Sequence, residues 1–201
     1  MTDASSACAV TLLRGADLVA SPWKNGGGVT REVAAFPHGA ALDTFVWRIS
    51  VADVAQSGPF SRFPGMDRTL VLLSGAGMML DEAPGRTHAL THALDIAQFD
   101  GETDIDARLI DGPTRDFNLM LRRGAASADV EVWRGPTQRT LNADIVLLFC
   151  AESANGINVS AGDHAPQALV RDDTLRIDAP RALRCTTHGD GALLVVSIRY
   201  A

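Results

Sequence analysis

Short apolar or alternating runs, each closed by Gly, Pro, Asp or Asn, succeed one another along the chain, and long segments of helical period are missing. The clearest runs are Val29–Ala35, Phe45–Val54, Thr69–Leu73, Gly77–Leu80, Ala107–Ile110 and Phe117–Arg122. Val130–Trp133, Asp144–Cys150, Gly156–Val159, Ala168–Val170, Thr174–Ile177 and Ala192–Tyr200 continue the series. Evenly spaced short strands with turn residues between them predict an all-β sandwich or barrel.

The pattern also repeats weakly. "TLVLLSGAGMML", "AQFDGETD" and "FNLMLRRG" match "DIVLLFCAESANGINV", "LRIDAPRA" and "LLVVSIRY" in order and rough spacing. Each set supplies a strand, a Gly-containing turn, a return strand, a corner and a final apolar strand, as two stacked jelly-roll units would.

Composition narrows the function classes. The chain has 201 residues, 46% of them hydrophobic and 21% charged, with a net charge of -6. That balance gives a folded core and lacks the basic excess that neutralises nucleic-acid phosphates. Cys8, Cys150 and Cys185 are widely separated and unpaired by any CxxC spacing, which reads as free thiols in a reducing, cytoplasmic setting. The N-terminal segment has no basic region followed by a long apolar one, and the longest apolar runs are too short to span a bilayer.

Side-chain alternation then sorts the polar residues. On "FVWRIS", Arg48 and Ser50 share the face opposite Phe45, Trp47 and Ile49; on "RDFNLMLRR", Asp116, Asn118, Met120 and Arg122 oppose Phe117, Leu119 and Leu121. Charged and small polar groups inside apolar strands need partners or a hydrated cavity. Two readings follow: an internal Arg48–Asp116 ion pair that closes a barrel, or a polar ligand cup. "GPFSRFPGMDRT" is an ordered loop leading to Arg68, whose planar fork suits a carboxylate over a barrel mouth; pairing with Asp67 or Glu32 is the alternative.

"PWKNGGGVTRE" (Pro22–Glu32) reads as a hairpin turn feeding a strand. It matches neither a P-loop nor a dinucleotide fingerprint. His88 and His92 are the one close histidine pair, in a segment read as loop, and without an evident third ligand they make a weak metal site. No metal or cofactor is expected, and no Ser–His–Asp or Cys–His context supports nucleophilic catalysis.

Taken together, "PWKNGGGVTREV" (Pro22–Val33), "FVWRISVADVAQSGPFSRFPGMDRTLVLLSGAGMML" (Phe45–Leu80), Phe99–Gly101 and "LIDGPTRDFNLMLRRG" (Leu109–Gly124) resemble the HutD/Ves family. The resemblance implies a bicupin: two cupin-like β units, residues 1–124 with the pocket and 125–201, packed as one body. It further implies a cytosolic protein linked, in the HutD branch, to histidine utilisation through binding of an intermediate such as N-formylglutamate or urocanate. By the same carry-over Trp23, Lys24, Asn25, Arg31, Trp47, Arg48, Arg68, Asp116 and Asn118 would line or support the pocket.

The functional expectation is a non-catalytic binder of a small carboxylate, with no nucleic-acid or membrane partner and with nothing against a homodimer. Its rivals are a metal-independent enzyme that uses Lys24 or Asp116 as general acid or base, and a structural β module whose polar cluster only closes the barrel.

Overall fold

A computed structural model describes residues 8–201; residues 1–7, on which part of the leader reading falls, lie outside the described residues. The strands are β1 (Ala9–Leu13), β2 (Ala20–Pro22), β3 (Gly28–Phe36), β4 (Trp47–Val54), β5 (Gly58–Pro59), β6 (Met66–Ser74), β7 (Met78–Glu82), β8 (Arg86–Leu90), β9 (Ile96–Asp100) and β10 (Ile105–Leu109). Then come β11 (Thr114–Arg122), β12 (Ala126–Arg134), β13 (Thr137–Leu141), β14 (Ile145–Ser153), β15 (Ile157–Ala161), β16 (Gln167–Leu169), β17 (Thr174–Asp178), β18 (Leu183–His188) and β19 (Gly191–Tyr200). The only helical element among the described residues is a short 3-10 turn at Gly15–Asp17. Every strand run predicted from alternation is a strand here.

Two compact units divide the chain, Leu18–Ala126 and the residues up to Asp17 joined with Ser127–Ala201. The expected division at 1–124 and 125–201 therefore differs at the N-terminus. The cause is backbone pairing: β1 adds to the edge of β17, Ala9 opposite Asp178 and Leu13 opposite Thr174. Arg14 Nη1 then reaches the buried Asp173 carboxylate at 2.7 Å, and the Gly15 N–H donates to its other oxygen at 2.9 Å.

In the Leu18–Ala126 unit one sheet runs β2-β3-β4-β11-β6-β9 and the other β5-β10-β7-β8. The second unit has β1-β17-β14-β19-β12 and β13-β18-β15-β16. Adding eight to each strand number from β4 to β11 turns the first set of neighbours into the second, so the weak echo in the sequence is a true structural repeat. The units differ in what is added at the sheet edge: β2 and β3 beside β4 in the first, β1 beside β17 in the second.

Each unit has its own core where its two sheets face each other. Ala52, Val54, Leu70, Leu72, Met78, Leu80 and Ile105 form the first; Val146, Leu148, Val159, Leu175, Ile177, Cys185 and Val195 belong to the second. Burial of each such Leu, Ile or Val side chain contributes about 1.5–3 kcal/mol, which explains why apolar period-2 runs govern the fold. The three cysteines are free. Burial pushes the Cys150 thiol up to about 12 and the Cys185 thiol up to about 11, as inert core residues require.

Candidate functional site

The inner face of the large sheet in the Leu18–Ala126 unit is apolar at one end and polar at the other. Asn118 on β11 lies between Ser50 on β4 and Leu70 on β6; one pair along, Met120 lies between Arg48 and Arg68. Period-2 geometry puts Asp116, Asn118, Met120, Arg48, Ser50 and Arg68 on one face. They floor a cavity of about 590 Å³. Its walls come from Trp23, Lys24, Asn25 and Thr30 on the β2–β3 hairpin, from Phe60, Ser61 and Phe63 on the loop before β6, and from Leu42.

The hairpin is held by its own sequence. The Trp23 N–H donates to the Gly28 carbonyl at 2.9 Å, and the Asn25 side chain accepts from the Gly27 N–H at 3.0 Å. Gly26 has a positive φ of 71°, and a Cβ on Gly28 would sit 2.5 Å from the Asp53 carbonyl oxygen and 3.1 Å from the Trp23 ring. Glycine at these two positions lets the Trp23 ring approach the strand closely, and its indole N–H donates to Thr30 Oγ1 at 2.7 Å. Lys24 and Asn25 are thereby presented at the cavity.

Arg68 is the central group. It is 6% exposed, and its guanidinium carbon lies 5.5, 5.4 and 5.0 Å from the ring centres of Phe60, Phe63 and Phe99. Three aromatic faces compensate part of its lost hydration through cation–π attraction. Burial lowers its pKa to about 10, with the Asp116 charge opposing, so it remains a cation at neutral pH. Nη2 donates to Asn118 Oδ1 at 2.8 Å, and Nη1 reaches the Ser61 carbonyl at 3.4 Å. Nε is buried without a hydrogen-bond partner.

Asn118 relays this contact onward, since its amide N–H donates to Asp116 Oδ1. Asp116 is 1% exposed, and its Oδ2 has no partner. Burial raises the carboxyl to about 7; Arg68 opposes the rise, Asp53 adds to it and the Asn118 hydrogen bond opposes it. Arg48 is engaged elsewhere: its Nε donates to Glu32 at 2.7 Å, and Nη1 lies 3.5 Å from Ser50 Oγ.

The structure thus replaces the direct Arg48–Asp116 ion pair with two arrangements, Arg48–Glu32 and Arg68–Asn118–Asp116. It also separates Arg68 from the pairing proposed with Asp67, which meets Arg123 at 2.8 Å. Of the residues singled out from sequence, Trp23, Lys24, Asn25, Arg48, Arg68, Asp116 and Asn118 line the cavity. Arg31 and Trp47 do not: Arg31 pairs with Asp53, and Trp47 is fully buried, 6.4 Å from the Phe36 ring. Phe60 and Phe63 were legible as aromatics in the loop before Arg68; Phe99, brought opposite Arg68 by β9, was marked only as part of the Phe99–Gly101 family likeness, with no sign that it would meet Arg68.

His88 and His92 occupy different elements. His88 lies on β8, where its Nε2 meets Glu82 at 2.7 Å, while His92 is in the following turn, exposed, with Nδ1 3.1 Å from Thr91 Oγ1. The segment read as loop is in fact strand at β8 and β9, because backbone pairing to β7 and β6 holds it. Among the described residues no group of three or more His, Cys, Asp and Glu is placed to hold a metal ion.

Fold and site define a bicupin with a polar-floored cavity in one of its two units. The same fold at 8% identity recurs in oxalate decarboxylase from Lactobacillus farciminis, with a TM-score of 0.63 over 94% of this chain and 85% of that one. Residues 15–195 match the HutD family, and the chain belongs to it. It is 38% identical over 169 residues to an uncharacterized 21.2 kDa protein in the hutC 3' region of Pseudomonas putida, covering 83% of this chain and 86% of that one. The Ves protein of Escherichia fergusonii is 40% identical over 111 residues, 55% of this chain and 56% of that one. The structure of HutD from Pseudomonas fluorescens SBW25 in a formate condition superposes with a TM-score of 0.84 at 31% identity, covering 96% of this chain and 100% of the other. Among the described residues no helix is long and apolar enough to cross a membrane.

Proposed function

We infer from membership of the HutD family that the chain is a histidine-utilisation-associated protein. We propose that it acts there as a non-catalytic, cytoplasmic binding protein for a small carboxylate, such as N-formylglutamate or urocanate, captured in the cavity of the Leu18–Ala126 unit. The observation that carries this reading is Arg68, a buried guanidinium ringed by phenylalanines with Nε lacking a partner. A desolvated cation binds a carboxylate more strongly than one in water, because the low surrounding polarity leaves their attraction unscreened. Lys24, Arg48 and Arg68 line the space against Asp116 alone, with Glu32 neutralising Arg48 from the side. The cavity is positive inside a protein of net charge -6.

Calorimetry with N-formylglutamate, urocanate, formiminoglutamate, glutamate and formate tests this. Arg68→Ala is expected to weaken binding by about one to two decades, since a charge-assisted hydrogen bond contributes roughly 1.5–3 kcal/mol. Arg68→Lys restores only part, because it keeps the charge and loses the planar fork. Unchanged affinity in both variants, with native circular dichroism, overturns the reading.

A second reading draws on Asp116, whose carboxyl stands near neutrality as a general acid or base requires. It makes the protein a metal-independent enzyme acting on a small organic acid. Turnover of any member of the same panel, lost in Asp116→Asn, favours it over simple binding.

A further inference from the structure

Asp116 has features that an ion pair closing a barrel does not need. It is 1% exposed, its Oδ2 has no donor, and it touches Arg68 only through the Asn118 amide. The amide accepts from Arg68 and donates to Oδ1, so it bridges the cation and the acid without neutralising the acid. A ligand carboxylate arriving at Arg68 brings a second negative charge to a floor that already holds one. Two carboxylates sharing one buried site disfavour each other's ionisation.

Resting on the carboxylate-binding reading, we propose that Asp116 is the proton-linked specificity residue of the cavity: ligand capture at Arg68 places a proton on Asp116 Oδ2, and ligand release returns it. The proton comes from solvent and goes back to it; no other bond forms or breaks. In the empty cavity an ionised Asp116 balances Arg68; in the filled cavity the ligand takes over that balance and Asp116 becomes neutral. Burial already holds the Asp116 carboxyl close to the pH at which such an exchange operates.

The surrounding charges fit this assignment. Arg68 faces Asp116 from β6, Asp53 acts on it from β4, Arg48 lies on the same face of β4, Glu32 holds Arg48 from β3, and Lys24 stands on the hairpin. Arg115 is beside it on β11, within 3.5 Å of Asp53. Among the described residues no histidine lines the cavity. Asp116 also responds to ligand charge: a dianion such as N-formylglutamate brings more negative charge to the floor than a monoanion such as formate, and draws a larger fraction of a proton onto Asp116.

Calorimetry with N-formylglutamate and with formate, in two cationic buffers of different ionisation enthalpy, counts the protons taken up. Wild type is expected to take up a fraction of one proton per ligand near neutral pH, and its affinity to fall by about tenfold between roughly pH 6 and pH 8. Asp116→Asn, which mimics the neutral acid, should bind with no proton uptake and a flat pH profile. Binding without proton exchange, or exchange retained in Asp116→Asn, overturns the linkage and leaves the binding reading intact. Should the variant fail to fold, the carboxyl carbon resonance of Asp116 in the wild type reads the same quantity. Its titration midpoint must move up on saturation, and a static midpoint overturns the proposal. No binding of either probe, with none across the wider panel, overturns both readings together.

Discussion

The two units are repeats with opposite interiors. In each, the central pair of strands carries the same register irregularity: between Arg115 and Asp116 on β11 against β6, and between Cys150 and Glu152 on β14 against β19. Aligned on it, Asp116 corresponds to Leu193, Asn118 to Val195, and Arg68 to Val146. Phe99, opposite Arg68, corresponds to Ile177, opposite Val146. The second unit fills with aliphatic side chains the volume that the first gives to Arg68, Asn118 and Asp116. The scaffold therefore does not require a polar floor. A buried ionic network is also a poor source of stability, since desolvation offsets most of the attraction. Its presence in one unit only fits the binding role proposed for that unit, and the β2–β3 hairpin, which the other unit lacks, walls that same space.

Transplanting one floor onto the other breaks this comparison most sharply. The triple change Arg68→Val, Asn118→Val, Asp116→Leu should abolish carboxylate binding in calorimetry while leaving the melting temperature unchanged or raised. Replacing buried ionic groups by apolar ones is often neutral or stabilising by about 1–4 kcal/mol. Unfolding of the triple variant would show the floor to be structural after all. The converse, Val146→Arg, puts an uncompensated charge into the aliphatic core and should cost about 3–5 kcal/mol in urea denaturation.

Asp116→Asn sharpens the comparison through pH. The folded carboxyl stands above its unfolded value of about 3.9, so the native state holds more protons between there and about 7. Wild-type stability contributed by this group is complete below pH 4 or so and is lost as pH rises through about 7. The melting temperature of Asp116→Asn relative to wild type should accordingly rise across that window and then level off. The smallest effect expected is at the hairpin: Gly28→Ala, whose Cβ would meet the Asp53 carbonyl oxygen, should cost about 1–3 kcal/mol and weaken binding as the wall shifts.

Much of this was legible because alternation is local. It put Arg48 with Ser50 and Asp116 with Asn118 on shared faces, and all four line the cavity. Pairing across strands was not legible, because register depends on turns and bulges: the β3 irregularity between Glu32 and Ala34 helps bring Glu32 to Arg48 and leaves Asp116 to Asn118. Arg31 and Trp47 entered as candidates through family likeness alone, and Trp47 falls on the opposite face to Arg48, as its parity requires. Strands β8, β13 and β18 escaped because polar sequences such as "RTHAL", "TQRTL" and "LRCTTH" are held by backbone pairing more than by apolar burial. In "IAQFD" the signal was present, with Ala97 and Phe99 inward, but too short to stand out.

The placement of β1 has a consequence for synthesis. A ribosome makes β1 before the other described strands, yet the edge it completes, β17, is among the last of them to emerge. Until then the whole Leu18–Ala126 sequence has left the tunnel, with every strand of its two sheets available, while β1 waits as an unpaired, mostly apolar segment. Closing so long a loop is slow relative to forming hairpins. The nascent chain thus completes the Leu18–Ala126 cavity before β1 has found its place, and a truncated product ending near Gly124 would carry that cavity together with an orphaned strand edge open to other chains.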